Sequence, residues 1–461
     1  MTSRMGRRTF LRNAALGGTG LMVLGESRSV CTAQANDRLN VGLVGVGGRG
    51  RWFVQTIPQL GENVVAMCDV NEQRAGESFA KMPEARKYHD FRKMLEEMDD
   101  QIDAVVVATP DHTHAAASVA AMKRGKHVYC EKPLTHNVYE SRVMRETAAD
   151  QGVATQMGNQ GTASQAFRRS LELIQEGEIG EIRDVYVWKD SGGPGARQLP
   201  QGEQPVPDHL KWDLWLGPAA YRPFHPDWLK WHGWRDFGTG QLGNWATHTA
   251  NLAFKSLKVD SLWYADPAAG GTPRLTVEAV VSEIDRHSFP KWEMIRWDIP
   301  ARGELPPVAL HYYNGSRAPG ARARIEELLE RPLDWGDQGE KKWHDHAGLL
   351  IVGSEGKLHG NGHNTECTLI RNGQFEGIKD QPQTVPRSPG HEREWLRACR
   401  GGEPAMSNFN YGGPLVEFLL LGNVATQFDH AIEYDPIACK IVNSPEANEA
   451  LSREYREGWS L

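Results

Sequence analysis

The chain has 461 residues, 39% of them hydrophobic and 24% charged, with a formal net charge of -7. That length provides for two or three domains with proper cores. The acidic balance leaves no basic face for nucleic acid, which excludes that class of partner, and the charge runs read as solvated surface.

The first 35 residues differ from everything after them. Arg7-Arg8-Thr9-Phe10-Leu11-Arg12 precedes an apolar, Gly/Ala-rich run from Ala14 to Leu24 that is too short to span a bilayer as a helix. With the small-residue end Ala33-Gln34-Ala35, this pattern describes an export signal cleaved after Ala35. The paired arginines followed by Phe-Leu resemble a twin-arginine signal. The expected location is periplasmic or otherwise extracytoplasmic, with no membrane span in the mature chain. Cys31 follows Arg28-Ser29-Val30, a poor lipobox. Removal of the signal takes away five arginines and one glutamate, so the mature protein is more acidic still. Cys68, Cys130, Cys367, Cys399 and Cys439 show neither CxxC nor metal-ligand spacing and read as core residues.

Residues 36–160 read as a nucleotide-binding domain. The strand Arg38 to Val44 runs into Gly45-Val46-Gly47-Gly48-Arg49-Gly50 and then a helix. In this arrangement Gly45 permits the tight turn, Gly47 lets backbone approach a pyrophosphate, and Gly50 lets helix and strand pack closely. Val64 to Cys68 is a second strand, and it ends in Asp69. An acid there accepts the ribose hydroxyls and repels a 2′-phosphate, which favours NAD over NADP; Arg49 and Arg74 offset part of that repulsion. A third strand, Ala104 to Ala108, leads into Thr109-Pro110-Asp111-His112-Thr113-His114 and an Ala-rich helix stopped at Gly125. A fourth, His127 to Cys130, delivers Glu131-Lys132-Pro133, followed by a helix from Val138 to Asp150 and the strand Val153 to Met157. Such repeated strand-helix units predict a parallel, doubly wound sheet.

Consecutive side chains of an extended segment point to opposite faces, so Glu131 is expected toward cofactor and Lys132 toward substrate. Pro133 restricts the backbone of Lys132. A lysine serves as a base where burial and nearby positive charge depress its pKa.

The glycine turn, Asp69, Thr109-Pro110 with His114, and Glu131-Lys132-Pro133, in this order, resemble the Gfo/Idh/MocA family, the glucose-fructose oxidoreductase and inositol dehydrogenase relatives. The resemblance implies a Rossmann domain and an α/β domain built on a large, mostly antiparallel open sheet, with NAD between them. It implies cofactor contacts from Gly45, Gly47, Arg49, Gly50, Asp69, Thr109, Pro110, His114, Glu131 and Asn159. It further implies homodimers or homotetramers through the second sheet.

Residues 161–390 read as the substrate and oligomerisation domain. A helix from Ser164 to Glu176 precedes the strand Ile182 to Trp188 and a Gly/Pro-rich loop, Ser191 to Pro207. Seven of the fifteen tryptophans fall between 188 and 245; such rings suit stacking on sugars, but most read as core. Trp234 to His248 matches a glycine-rich turn that, in the family, leads to Asp-x-x-x-His on a helix, with both side chains on one face. Here Asn244 stands in the aspartate position. The resemblance makes His248 the proton-handling partner of Lys132, titrating near neutral pH. Asn244 and Arg235 are expected substrate contacts; an amide hydrogen-bonds a hydroxyl but is no carboxylate base. Lys291 to Pro300 and Val308 to Asn314 read as strands. His344-Asp345-His346 lacks a third ligand at fixed spacing, so no metal is expected. Residues 391–461 resemble exported members of the family and read as helices and a segment returning over the core.

Free NAD is scarce outside the cytoplasm, so an exported enzyme needs a cofactor that stays bound and is recycled within each cycle. Three functions remain open. They are oxidation of a sugar or polyol hydroxyl, glycoside cleavage through transient oxidation and elimination, and non-catalytic binding of sugar by a cofactor-bound protein.

Overall fold

The computed structural model describes residues 38–267, 271–333, 346–377 and 383–461. The export signal, Cys31, His344 and Asp345 lie outside the described residues. Six strands form the first sheet: β1 (Asn40–Val44), β2 (Asn63–Cys68), β3 (Arg86–Tyr88), β4 (Ala104–Val107), β5 (His127–Cys130) and β6 (Thr155–Met157). Their order is β3-β2-β1-β4-β5-β6, and every pair is parallel. β4 is apolar and buried at all four positions, as a parallel strand covered on both faces must be. The strand order reverses between β1 and β4, and open α/β sheets bind ligands at the carboxyl ends of the strands flanking such a point. Gly45 and Thr109 follow β1 and β4 there.

A ten-stranded sheet holds β7 (Ile182–Lys189), β8 (Leu275–Val281), β9 (Glu293–Ile299), β10 (Val308–Asn314), β11 (Ala347–Gly353), β12 (Lys357–Asn361), β13 (Cys367–Arg371), β14 (Gln374–Gly377), β15 (Ile432–Asp435) and β16 (Lys440–Ile441). The order is β14-β13-β12-β11-β7-β10-β9-β8-β15-β16. Only β7 and β10 run parallel; the other neighbours pair antiparallel. β9 alternates cleanly, with Ile295, Trp297 and Ile299 inward and Arg296 and Asp298 outward, the signature of a sheet with one solvated face. The sequence reading placed β9 and β10 but passed over β8 and β11 to β14. It also took the carboxyl-terminal region for helices and a covering segment, where β15 and β16 extend the second sheet.

Two carboxyl-terminal helices join the layers. Trp395 and Leu396 of the helix His391–Cys399 complete a cluster with Leu39, Val41, Phe53 and Tyr129 of the first sheet. The helix Phe409–Ala425 is buried along nearly its whole length and lies against Val138–Gln151. Where they meet, a Cβ on Gly413 would come within 3.1 Å of Arg145 Cβ. The same helix buries Glu417 completely. Its carboxylate accepts hydrogen bonds from Arg142 Nη2 (2.8 Å), Trp263 Nε1 (2.6 Å) and the Tyr434 hydroxyl. That one acid ties a helix of the first sheet to β15 of the second. Among the described residues no helix is long and apolar enough to cross a membrane, and the five described cysteines are free thiols.

Replacing Glu417 strands a buried guanidinium. Glu417→Ala is expected to lower unfolding free energy by about 3–5 kcal/mol. Arg296→Ala, which breaks the exposed pair with Asp298, is expected to cost less than about 1 kcal/mol. Urea denaturation of the two variants checks the contrast.

Candidate active site

A cavity of about 530 Å³ opens at the carboxyl ends of β1, β2, β4 and β5, lined at one end by the glycine turn and Asp69 and at the other by Lys132, Trp231, His232 and Asn244. The turn needs its glycines for space. Gly45 has φ +84°, and a Cβ on it would lie 2.6 Å from Ala108 O. A Cβ on Gly50 would lie 1.7 Å from Gly45 O, so the helix Arg51–Gln59 could not begin where it does. Asp69 closes the turn from the end of β2. One carboxylate oxygen accepts from the amides of Val46 and Gly47, both at 2.8 Å, and the other from Asn71 N at 2.9 Å. Burial raises its pKa above the usual range, against the pull of those amides.

Glu131 is nearly buried, and Arg49 Nε donates to it at 2.9 Å. Burial opposes the charge on Arg49, but the Glu131 carboxylate outweighs it and the net shift is upward. Thr109 and Pro110 form the adjoining wall. His114 clamps two loops: its ring nitrogens lie 2.8 Å from Thr109 O and from Pro133 O. Two carbonyls on one ring call for two N–H donors, which is the imidazolium. Burial works against that charge, yet Cys130, Asp111 and the Pro133 carbonyl prevail and push the pKa up to about 10.

Lys132 takes a separate direction from Glu131. Its Nζ donates to Asn244 Oδ1 at 2.5 Å and lies 3.3 Å from Asn244 O. Burial lowers its pKa from the ordinary lysine value and Arg49 adds to the effect, while Glu131 and Asp111 pull the other way.

Three expected site residues lie elsewhere. Residues Leu242–Ala246 form a π-helical turn rather than α-helix, and that wider turn breaks the four-residue alignment. Asn244 therefore lines the cavity while His248 points into the interior, outside the lining. Burial, then Lys132 and His363, push the His248 imidazole well below its ordinary value, and Nδ1 has no partner among the described residues. His248 is therefore not brought into the cavity lining beside Lys132 as expected. Arg235 is likewise no cavity residue. Its guanidinium donates to the carbonyls of Asp285, Ser288 and Asn423 and to Thr426 Oγ1, fastening the Trp-rich segment to the helix Phe409–Ala425. Asn159 is fully buried, accepts from the Ser407 hydroxyl, and does not line the cavity.

Other lining residues carried no clear sequence signal. Asp111 lines the cavity with one carboxylate oxygen held by Thr239 N (3.1 Å) and Oγ1 (2.7 Å). Trp212, Trp215, Trp228 and Trp234 form a core with Phe224 and Phe237, as most tryptophans were expected to do. Trp231, half-buried, and the exposed His232 instead form a wall opposite Lys132. Trp459, from the end of the chain, lines the opposite end beside Phe91.

A parallel sheet with a glycine turn and an acid at its switch point, faced by a second sheet that supplies a partner to a half-buried lysine, defines a two-domain dinucleotide-binding scaffold of the oxidoreductase class. Residues 39–159 match the model of the Gfo/Idh/MocA oxidoreductase family's NAD-binding Rossmann fold, and residues 182–257 match that of its C-terminal alpha/beta domain. Over these two segments the chain matches the Gfo/Idh/MocA oxidoreductase family. It is 30% identical over 228 residues to the levoglucosan dehydrogenase of Pseudarthrobacter phenanthrenivorans, covering 47% of this chain and 50% of that protein. It is 28% identical to the myo-inositol 2-dehydrogenase of Thermotoga maritima over 34% of this chain and 46% of that one. A glycosyl hydrolase family 109 protein of Saccharopolyspora erythraea is 30% identical over 38% of this chain and 44% of its own. The chain thus spans about half the length of these relatives. Among solved structures, WlbA dehydrogenase from Bordetella pertussis in complex with NADH and UDP-GlcNAcA superposes with a TM-score of 0.56 at 17% identity, over 86% of this chain and 98% of that one. Levoglucosan dehydrogenase with NADH and levoglucosan gives 0.54 at 18% identity, over 86% and 99%. These likenesses establish the fold.

The cofactor is NAD, and the residues fit it: the glycine turn leaves backbone where a Cβ would intrude, and Asp69 stands at the ribose position. Asp69→Ala is expected to weaken NAD binding about tenfold or more, since a hydrogen bond to a charged group is worth about 1.5–3 kcal/mol. It should also narrow the preference over NADP. Titrating both dinucleotides against tryptophan fluorescence measures both effects.

Proposed function

We propose that this protein oxidises a hydroxyl of a sugar or polyol, using NAD bound in the cavity. The observation that carries this reading is the half-buried Lys132 amine, lining the cavity, lowered in pKa and hydrogen-bonded to Asn244. Bound NAD supplies a hydride acceptor. Lys132 Nζ, in its neutral form, takes the hydroxyl proton; an amine left at the ordinary lysine value of about 10.4 would be almost wholly protonated at neutral pH. By donating to Asn244 Oδ1, the amine keeps its lone pair for the substrate. His248 lies buried behind them, outside the cavity lining. Trp231 presents an apolar surface of the kind that suits a sugar ring. The names of the relatives, levoglucosan dehydrogenase and myo-inositol 2-dehydrogenase, support the substrate class.

One observation favours a second reading. The glycosyl hydrolase family 109 relative fits a cycle in which oxidation acidifies a neighbouring C–H, elimination expels the aglycone, and the reduced cofactor returns its hydride after water adds. The same lysine takes the first proton in either case. A purely sugar-binding protein would gain nothing from burying an amine against its hydration.

The mature enzyme, in this proposal, is exported by the twin-arginine route, on the strength of Arg7-Arg8 with Phe10-Leu11 and the apolar run behind them. Its domains divide near residues 160 and 390, and it forms a homodimer or homotetramer through the ten-stranded sheet.

Lys132→Met is expected to lower kcat/KM by about 10²–10⁴ with NAD binding retained. The measurement is NADH absorbance and released aglycone over a panel of polyols, sugars and aryl glycosides. Aglycone without net NADH selects the second reading; an unchanged rate removes Lys132 from the chemistry. Because the deprotonated amine is the active form, kcat/KM should rise with pH through an apparent pKa below the ordinary lysine value. A profile that falls with rising pH across that range contradicts the assignment.

A further inference from the structure

The end of the cavity marked by Asp69 is covered by two segments far from it in sequence. The first joins the loop that follows Asp69. Asn71 and Leu210 form an antiparallel bridge, flanked by Glu72 N donating to His209 O and Lys211 N to Val70 O, both at 2.9 Å. The second is the last stretch of the chain. Arg453 donates to Asp236 O and His112 O at 2.9 Å each. Arg456 donates from Nη2 to Asp213 O at 2.8 Å and to Gly217 O at 3.1 Å. The strap is thereby anchored on the Trp-rich segment and on the helix Asp111–Met122, and it then reaches the helix Phe91–Glu97. There Arg92 Nη1 donates to Gly458 O at 2.9 Å and its guanidinium lies 4.2 Å from the Trp459 ring. The Phe91 ring is 5.9 Å from that of Trp459, and Lys123 Nζ holds Leu461 O at 2.7 Å. Trp459 is left half-buried on the cavity wall that also holds Asp69, Asn71 and Phe91.

We propose that Trp459 is a cofactor-binding residue, the outer wall of the adenine subsite, and that the strap from Arg453 to Leu461 retains the dinucleotide between turnovers. This rests on the NAD reading of the cavity and adds to it a part of the chain outside both matched family segments. An acid that binds the ribose puts the adenine beyond it, where Phe91 and Trp459 supply aromatic faces. Stacking on such a face strengthens binding of any base irrespective of its edge. Departure of the adenosine then requires Trp459 to swing out, against the Arg92 and Lys123 contacts, or the Asn71–Leu210 bridge to part. The nicotinamide end is under no such constraint, so substrate and product pass at Trp231 and His232 while the cofactor stays.

The test is the exchange of bound NAD for isotopically labelled NAD in the mature protein, followed by gel filtration and quantification of the nicotinamide released on denaturation. Trp459→Ala is expected to exchange about tenfold to a hundredfold faster than wild type, by the usual contribution of one base–aromatic stack. Trp459→Phe should stay within a few-fold. Lys123→Met, at an exposed position, frees Leu461 without touching the cavity and should give a smaller acceleration of the same sign, which keeps the test open should Trp459→Ala fold poorly. Exchange as fast in wild type as in Trp459→Ala and Lys123→Met overturns the strap and leaves the NAD reading standing. Absence of any nicotinamide, labelled or unlabelled, on denaturation of wild type incubated with NAD overturns the cofactor reading and the strap with it.

Discussion

The partial burial of one amine, Lys132, is the constraint on which the site depends. An ammonium taken from water and left without partners costs several kcal/mol, so a lysine survives inside only when paired or when it gives up its proton. Lys132 does some of each: Asn244 accepts from it, and its pKa is lowered. Asn244 reaches it from the π-helical turn over Leu242–Ala246, so the pairing exists only once the two sheets have met. Small residues make the approach possible. A Cβ on Gly158 would lie 2.6 Å from Glu131 Oε2, and one on Gly243 would lie 2.2 Å from Thr239 Oγ1.

The charged groups around the amine are themselves paired, while burial lowers its pKa. Glu131 is occupied by Arg49, one oxygen of Asp111 by Thr239, and His114 carries its proton between two carbonyls. Neither carboxylate is fully at liberty to hold Lys132 in its charged form. His248 is close enough for the lysine to lower its pKa, after the larger effect of burial. The asparagine at 244 is consistent with this: a carboxylate there would favour the ammonium, whereas an amide orients the amine and leaves its pKa low.

The cavity is built by two kinds of structure. Its phosphate and ribose side comes from short turns after β1 and β2, made by residues adjacent in sequence. Its opposite side comes from the Trp-rich segment and the end of the chain, held by arginines that donate mainly to backbone carbonyls. Arg235, Arg453 and Arg456 all act this way, and several bonds to fixed carbonyls immobilise a loop more effectively than one solvated ion pair. The Asp69 end is lined by Phe91 and Trp459, and the Lys132 end by Trp231 and His232.

The sequence by itself determined the glycine turn and every strand of the first sheet except the short edge strand β3. A strand ending in a glycine turn, an acid at the end of the next strand, and a lysine held before a proline are consequences of local backbone sterics and of the apolar runs of buried parallel strands, both readable over a few residues. It also identified β9 and β10, where alternation or continuous apolar runs are strong. Tertiary structure alone decided the rest. Whether His248 or Asn244 faces the cavity depends on a π-turn that no spacing rule announces. Arg235 and Asn159 look like site residues from their neighbours in sequence, yet they are consumed by carbonyls and a serine from remote segments. Trp459 gains its place only because the chain end folds back onto Phe91 and Arg92. Side-chain direction, burial and pKa are set by whatever packs against a residue from elsewhere, and that information is distributed over the whole chain.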